Sequence, residues 1–271
     1  MKQPANSRLT GMKTKPLQLW CAYPDDLLTE GATEACARLL TEDEHARWKG
    51  YRFERHRREF LTTRALVRTA LSHYQPIAPA AWRFIANAHG KPAIDPACGL
   101  SFNLSNSPGL VVCLISHGAE VGPEVGIDVE PHGRAGTIAD LAPNGFSPLE
   151  RAQLDTLSGA ARLDRALSLW TLKESYIKAR GMGLALPLAK FSFLFGGAEG
   201  IRLDLDPSLD LDPSLGDRPD RWQFSLLDHA GHRIALMSER TAGRQMEAWE
   251  SRPALAEPTR LPTIAEAWFP C

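Results

Sequence analysis

Twice along this chain a run of helix-patterned residues gives way to a run of strand-patterned ones, and that order constrains the fold more than any single motif. In the first half, helical patterns span about 26–40 and 53–74, with another helix starting at Thr41. Strand-like segments follow at Trp82–Ile85, Leu100–Leu104 and Leu110–Ile115, and one precedes them at Leu17–Trp20. The second half opens with a strand, Val125–Glu130, and then repeats the order. Helices run from Ser147 to about 157 and from about 161 to Arg180, and strands follow at 189–195, 202–205, 222–227 and 232–238. Blocks of this kind predict an α+β fold built from two similar lobes that meet near residue 123, a natural place for a ligand. The expected division is 1–122, 123–245 and a tail, 246–271.

Local chemistry supports these boundaries. Thr41-Glu-Asp-Glu44 and Ser147-Pro-Leu-Glu150 both place a hydroxyl at the cap and a glutamate three residues on, the second with proline in the first turn. Gly181 ends the long second-half helix, and Asp228-His-Ala-Gly231 reads as a hairpin turn. Residues 1–16 read as a loose lead-in. The polar stretch 206–220, which repeats Asp-Pro-Ser-Leu, reads as a surface insertion.

Several function classes are disfavoured at once. The formal net charge is -1, so the chain as a whole offers no basic field for nucleic acid or an anionic membrane. Five cysteines are scattered with no Cys-x-x-Cys pair, which argues against a disulfide framework or zinc centre and for a reducing cytoplasm. The longest clear apolar run, Leu110–Ile115, is six residues, far short of a membrane span, and residues 1–15 carry no signal-peptide pattern. A soluble, cytoplasmic protein is expected.

Three features carry chemistry. In Val125-Gly-Ile-Asp-Val-Glu130, alternation puts Asp128 and Glu130 on one face of a strand, roughly 6.5–7 Å apart. Two hard oxygen ligands at that spacing can share a cation such as Mg²⁺, which keeps waters and phosphates as its other ligands. The plain alternative is a strand with a wet acidic face. In the helix, Trp170, Glu174 and Lys178 recur every four residues and share a face. That is either a carboxylate and an ammonium for metal and phosphate, or an ordinary surface pair adding roughly 0.2–0.5 kcal/mol to the helix. From Glu44 to Arg68 there are eight arginines or lysines, including Arg47, Arg55, Arg57, Arg58 and Arg64. These form either a solvated face or a phosphate site.

Taken in order, Gly90-Lys-Pro92, Phe102-Asn-Leu-Ser-Asn-Ser107, Val125–Glu130 and Trp170-Thr-Leu-Lys-Glu-Ser-Tyr-Ile-Lys178 resemble the 4′-phosphopantetheinyl transferase superfamily, in its large two-lobed form that activates peptide and polyketide synthetases and fatty-acid carrier proteins. Gly181-Met-Gly-Leu-Ala-Leu-Pro-Leu188 adds to the likeness, which spans about 47–238. The resemblance implies a pseudo-twofold α+β fold with coenzyme A between the lobes. It implies that Asp128, Glu130 and Glu174 bind Mg²⁺, with Mn²⁺ a second candidate. Lys178 is implied at the diphosphate, Ser105 at the phosphates, and Lys91, Arg55 and Arg64 near the nucleotide. Where the family has histidine after that serine, this chain has Asn106, an amide that donates a hydrogen bond but carries no charge.

The implied reaction is attack by a carrier-protein serine on the β-phosphate of coenzyme A, releasing 3′,5′-ADP. Glu174 is the first candidate for general base and Glu130 the second, each in competition with its metal role. Partners would be acidic helical carrier proteins, drawn by part of the basic region and by apolar contact at 181–188. A monomer suffices, since one chain holds both lobes. Two other readings stay open at this level: a metal-dependent hydrolase of a coenzyme A-like diphosphate, and a non-catalytic coenzyme A-binding protein.

Overall fold

Strand β1 (Leu17–Ala22) is buried along its whole length, because it lies inside a five-stranded sheet and is covered on both faces. The computed structural model describes residues 15–119, 122–196, 200–211, 216–242 and 244–262. Most of the expected lead-in, part of the 206–220 insertion and the end of the tail lie outside these residues.

After β1 come a short 3-10 turn (Pro24–Leu27) and helices α1 (Glu30–Ala37), α2 (Glu42–Gly50) and α3 (Glu54–Ser72). The expected single helix over 26–40 is thus two pieces, broken where Thr29 caps α1. The Thr41–Glu44 capping box is formed in full. Strands β2 (Phe84–Ala86) and β3 (Pro92–Ile94) make a small hairpin. Strands β4 (Leu100–Ser107) and β5 (Leu110–His117) make a longer one.

The second half begins with β6 (Val125–Pro131) and two short helices, α4 (Ala135–Asp140) and α5 (Ala142–Gly145). Helix α6 (Pro148–Asp155) opens on the expected Ser147–Glu150 capping box. Helix α7 (Gly159–Arg180) runs 22 residues and stops at Gly181, which takes the left-handed conformation with φ 64°. Strands β7 (Phe191–Phe195) and β8 (Ile201–Leu205) pair, as do β9 (Trp222–His229) and β10 (His232–Glu239). The stretch read as a tail contains β11 (Met246–Glu250) and β12 (Thr259–Arg260).

The first sheet has the order β12-β11-β1-β5-β4 and the second β6-β10-β9. Alternation along β1 and β5 separates two cores. Leu17, Leu19, Val112 and Leu114 pack on Val125, Ile127, Ile234 and Leu236, which joins the two sheets face to face. Trp20, Val111, Cys113 and Ile115 instead meet Leu66, Val67 and Leu71 of α3. On the far side, Leu169, Leu172 and Tyr176 of α7 cover Phe224, Ala235 and Met237. The result is a long helix outside each of two apposed sheets, the α+β plan expected from the repeated order. Among the described residues, no helix is long and apolar enough to cross a membrane.

Where the lobes adjoin, β4 lies beside β6. Asn103 Oδ1 accepts from the Ile127 amide at 2.9 Å, and the Ser101 hydroxyl donates to the Gly122 carbonyl at 2.6 Å. These bonds bring the Phe102–Ser107 segment against the carboxylate strand.

Candidate active site

Helix α7 lies directly on the acidic face of β6, and Gly126 is the reason it can. A Cβ at that position would overlap the Ser175 carbonyl oxygen and come within 2.5 Å of the Ala179 amide nitrogen. The face that alternation alone left open to solvent is therefore covered, with Asp128 at 5 % and Glu130 at 7 % exposure. Opposite them stand Trp170, Glu174 and Lys178, one helical turn apart.

Lys178 Nζ donates to Asp128 Oδ1 at 2.6 Å and to Ser105 Oγ at 2.7 Å, and Ser105 Oγ donates to the same Asp128 oxygen at 3.0 Å. Glu130 accepts from Trp170 Nε1 at 3.2 Å and from Arg134 Nη1 at 2.8 and 2.6 Å. Burial, then the neighbouring Asp128 carboxylate, push the Glu130 carboxyl above its usual range, against the opposing pull of Arg134. Glu174 is raised for the same two reasons, with Lys178 opposing. Two carboxyls raised by burial and by the charge of their acidic neighbours mark a site that favours added positive charge.

Asp128 Oδ2 is buried and has no hydrogen-bond partner. An orphaned carboxylate oxygen beside two other acids suits a hard divalent cation. The trio is not a closed metal cage as it stands: among the described residues no group of three or more His, Cys, Asp or Glu side chains is gathered as one. Lys178 and Arg134 hold Asp128 and Glu130 instead.

From Lys178 a groove leads outward in two joined parts. The first, about 200 Å³, is bordered by His89, Lys91, Asn103, Leu104 and Lys178. The second, about 440 Å³, is bordered by Arg47, Thr63, Arg64, Phe84 and Ile85, and shares Gly90, Pro92 and Leu104 with the first. It therefore runs from Lys178 past Asn103 and Leu104 of β4 to two arginines and an aromatic ring. A larger cavity of about 580 Å³ lies elsewhere, between Trp20, His73 and residues 251–258, and none of the motif residues reaches it.

Lys91 is mostly buried, and burial lowers its pKa. Its ammonium donates to the Ala179 carbonyl at 2.5 Å, at the end of α7. Asn87 holds the same turn: its Oδ1 accepts from the His89 and Lys91 amides, both at 2.9 Å, and its Nδ2 donates to the Gly181 carbonyl at 2.8 Å. Gly181 is required there, since an added Cβ would sit 2.6 Å from Lys91 Cδ.

The structure thus joins Ser105, Asp128 and Lys178 by hydrogen bonds, sets Glu130 and Glu174 within electrostatic reach of Asp128, and places Lys91 and Arg64 along the groove. Arg55 points away, with its side chain 62 % exposed and 3.6 Å from Glu59. Asn106 is exposed at the end of β4 and borders neither part of the groove. Within the basic region, Arg68 is 1 % exposed and joins Glu44 at 2.7 Å, a core role that its charge alone does not announce. Three residues take on significance only in the fold: Arg47 and His89 on the groove, and Arg134 over Glu130. Arg47 had the same sequence signal as its neighbours, whereas nothing in the spacing marks Arg134.

A family model described as the 4′-phosphopantetheinyl transferase superfamily matches residues 124–237, which span β6, α7 and most of the β9–β10 hairpin. The chain is similar to a 4′-phosphopantetheinyl transferase of Bacillus subtilis, with 30 % identity over 176 residues that cover 65 % of this chain and 75 % of the relative. It is similar to the 4′-phosphopantetheinyl transferase HetI of Nostoc sp., with 32 % identity covering 58 % of this chain and 65 % of that protein. A putative 4′-phosphopantetheinyl transferase of Synechocystis sp. is 30 % identical over 71 % of this chain and 80 % of its own length.

Proposed function

This chain belongs to the 4′-phosphopantetheinyl transferase superfamily, and from that membership we infer that it moves the 4′-phosphopantetheine group of coenzyme A onto a serine of an apo carrier protein, releasing 3′,5′-ADP. The observation that carries this for the site in hand is the meeting of Ser105, Asp128 and Lys178, from three separate motifs, at the head of a groove.

The groove suits the donor. Arg47 and Arg64 at its far end, beside Phe84 and Ile85, provide charge for a phosphate and a flat apolar surface for a base. Lys178 and the Ser105 hydroxyl stand where the diphosphate would cross from the first lobe to the second. Lys91 adds positive charge from the groove wall while its ammonium steadies α7.

Asp128, Glu130 and Glu174 would hold a divalent ion, Mg²⁺ or Mn²⁺. When bound, that ion withdraws charge from the diphosphate and steadies in-line geometry. The chain's own residues do the rest. Lys178 neutralises the oxygens that gain charge as the bond from the β-phosphorus to the bridging oxygen breaks. The serine oxygen forms the new bond to that phosphorus and gives up its proton. Glu174 is the better acceptor of the two candidates. Both carboxyls are raised, but both oxygens of Glu130 are held by Arg134, whereas Glu174 meets Lys178 and the other acids through charge and so has an oxygen to offer the proton.

Carrier proteins would approach over the exposed loop after α7, where Leu184 is 84 % exposed, with Arg57 and Arg58 of α3 adding positive charge. One chain holds every motif residue, so the working unit is taken as a monomer.

The test is the intact mass of an apo acyl carrier protein after incubation with coenzyme A, Mg²⁺ and this protein. A gain of one phosphopantetheine group, absent without metal and with Asp128→Ala, is the expected result. No gain on fatty-acid or synthetase carriers by the folded protein would overturn the assignment.

A further inference from the structure

Both oxygens of Glu130 accept from Arg134, and Oε1 also accepts from Trp170 Nε1 at 3.2 Å. Arg134 Nη1 lies 2.8 Å from Oε1 and 2.6 Å from Oε2. The pair is lopsided in exposure, with the arginine side chain at 46 % and the glutamate at 9 %. Arg134 ends the one-turn helix His132–Arg134 that directly follows β6, so the chain folds back and places the guanidinium over its own acid. Asp128 is differently placed: Oδ1 takes Lys178 and Ser105, while buried Oδ2 has no partner. One acid of the trio is thus capped from solvent by an arginine, and another presents an orphaned oxygen.

We propose that Arg134 is a resident counter-cation that competes with the divalent ion for Glu130, so that the free protein takes up metal weakly and the cation enters together with the coenzyme A diphosphate. This rests on the reading of Asp128, Glu130 and Glu174 as the metal's ligands. Three carboxylates face two cations of the chain, Arg134 and Lys178, which leaves one formal negative charge for an incoming ion to meet. A bare divalent ion must displace charge-assisted hydrogen bonds of the strong class to reach Glu130. An ion that arrives with a diphosphate brings compensating negative charge, to which the released guanidinium can turn. Arg134 is able to leave because nearly half of it already meets water. Lys178 is not equivalent, being 28 % exposed and tied to both Asp128 and Ser105.

The experiment titrates Mn²⁺ into the full chain without coenzyme A and reads free Mn²⁺ by electron paramagnetic resonance. Arg134→Gln is expected to bind Mn²⁺ about ten-fold more tightly than the unaltered protein, the scale of one charged hydrogen-bonded contact. That advantage is expected to shrink when coenzyme A is present, and Asp128→Asn is expected to abolish binding in both backgrounds. Equal or weaker binding by Arg134→Gln, with Asp128→Asn still abolishing it, overturns the role of Arg134 and leaves the ligand set standing. No Mn²⁺ binding by either protein, with or without coenzyme A, overturns the ligand set and this inference with it.

Discussion

Lys178 Nζ stands 2.6 Å from Asp128 Oδ1 and 2.7 Å from Ser105 Oγ, so one ammonium ties the last turns of α7 both to β6 and to β4 of the other lobe. Lys178→Met is expected to lower kcat/KM by roughly 10²–10³-fold, the usual cost of removing a charge that stabilises a transition state. Initial rates of carrier modification at several coenzyme A concentrations check this. A change confined to the coenzyme A KM would show that Lys178 only binds.

Behind α7, Lys173 and Glu150 form an ion pair at 2.7 Å with both side chains at 0 % exposure. Glu150 also accepts from the Ser147 and Phe193 amides, each at 2.8 Å, and Lys173 donates to the Phe191 carbonyl at 2.7 Å. Lys173→Met leaves a buried carboxylate without its counter-charge, with an expected loss of about 3–5 kcal/mol of stability. Urea unfolding measures it, and adding Glu150→Gln to the same chain is expected to recover part of the loss.

Two leucines of the loop after α7 separate binding from folding. Leu184 is 84 % exposed beside the groove, whereas Leu186 is 0 % exposed and belongs to the core of the second lobe. Leu184→Asp is expected to raise the KM for carrier protein while leaving the coenzyme A KM and the melting temperature unchanged. Leu186→Asp is expected to destabilise the fold, which makes it unfit to probe docking. A carrier titration and a melting curve for each variant distinguish the two.

His117, at the end of β5, has its pKa held down to about 4 from 6.5 by burial and then by the charges of Lys15 and Arg244. Its ring meets Tyr74 edge-on with centroids 4.9 Å apart. The folded state therefore prefers the neutral imidazole, and the unfolded chain takes up a proton first as pH falls. This contribution to stability is fully present above pH 6.5 and declines from there toward 4. Unfolding midpoints measured from about pH 7.5 down to about pH 4.5, across the ordinary histidine pKa, are expected to fall less steeply for His117→Gln than for the unaltered chain.

Local signals in this sequence are legible where they depend on neighbours along the chain. Both capping boxes, the Gly181 stop and the 228–231 hairpin turn are formed as expected, because each is closed by residues within four positions of one another. The carboxylate strand and the Trp170–Lys178 helix face were also legible, one from its period of two and the other from its period of four. What periodicity leaves open is which elements touch. That α7 covers the acidic face depends on the missing Cβ of Gly126, and that Lys91 braces α7 depends on Gly181. The burial of Arg68, the outward turn of Arg55 and the return of Arg134 onto Glu130 are likewise facts of tertiary packing. A basic run looks the same in sequence whichever of its members ends up in the core.

Strand β11 lies parallel to β1, pairing Leu17 with Met246 and Cys21 with Glu250. During synthesis on the ribosome, β1 can find β5 early, but its other edge has no natural partner until the last tenth of the chain emerges. At ~5–20 residues per second, the span between β5 and β11 takes on the order of ten seconds to make. Throughout that wait an apolar strand edge is open to any other extended segment, including those of the growing second lobe. The nascent chain is therefore most exposed to mispairing while the segment from β6 to β10 is being made, and slower elongation would lengthen that period.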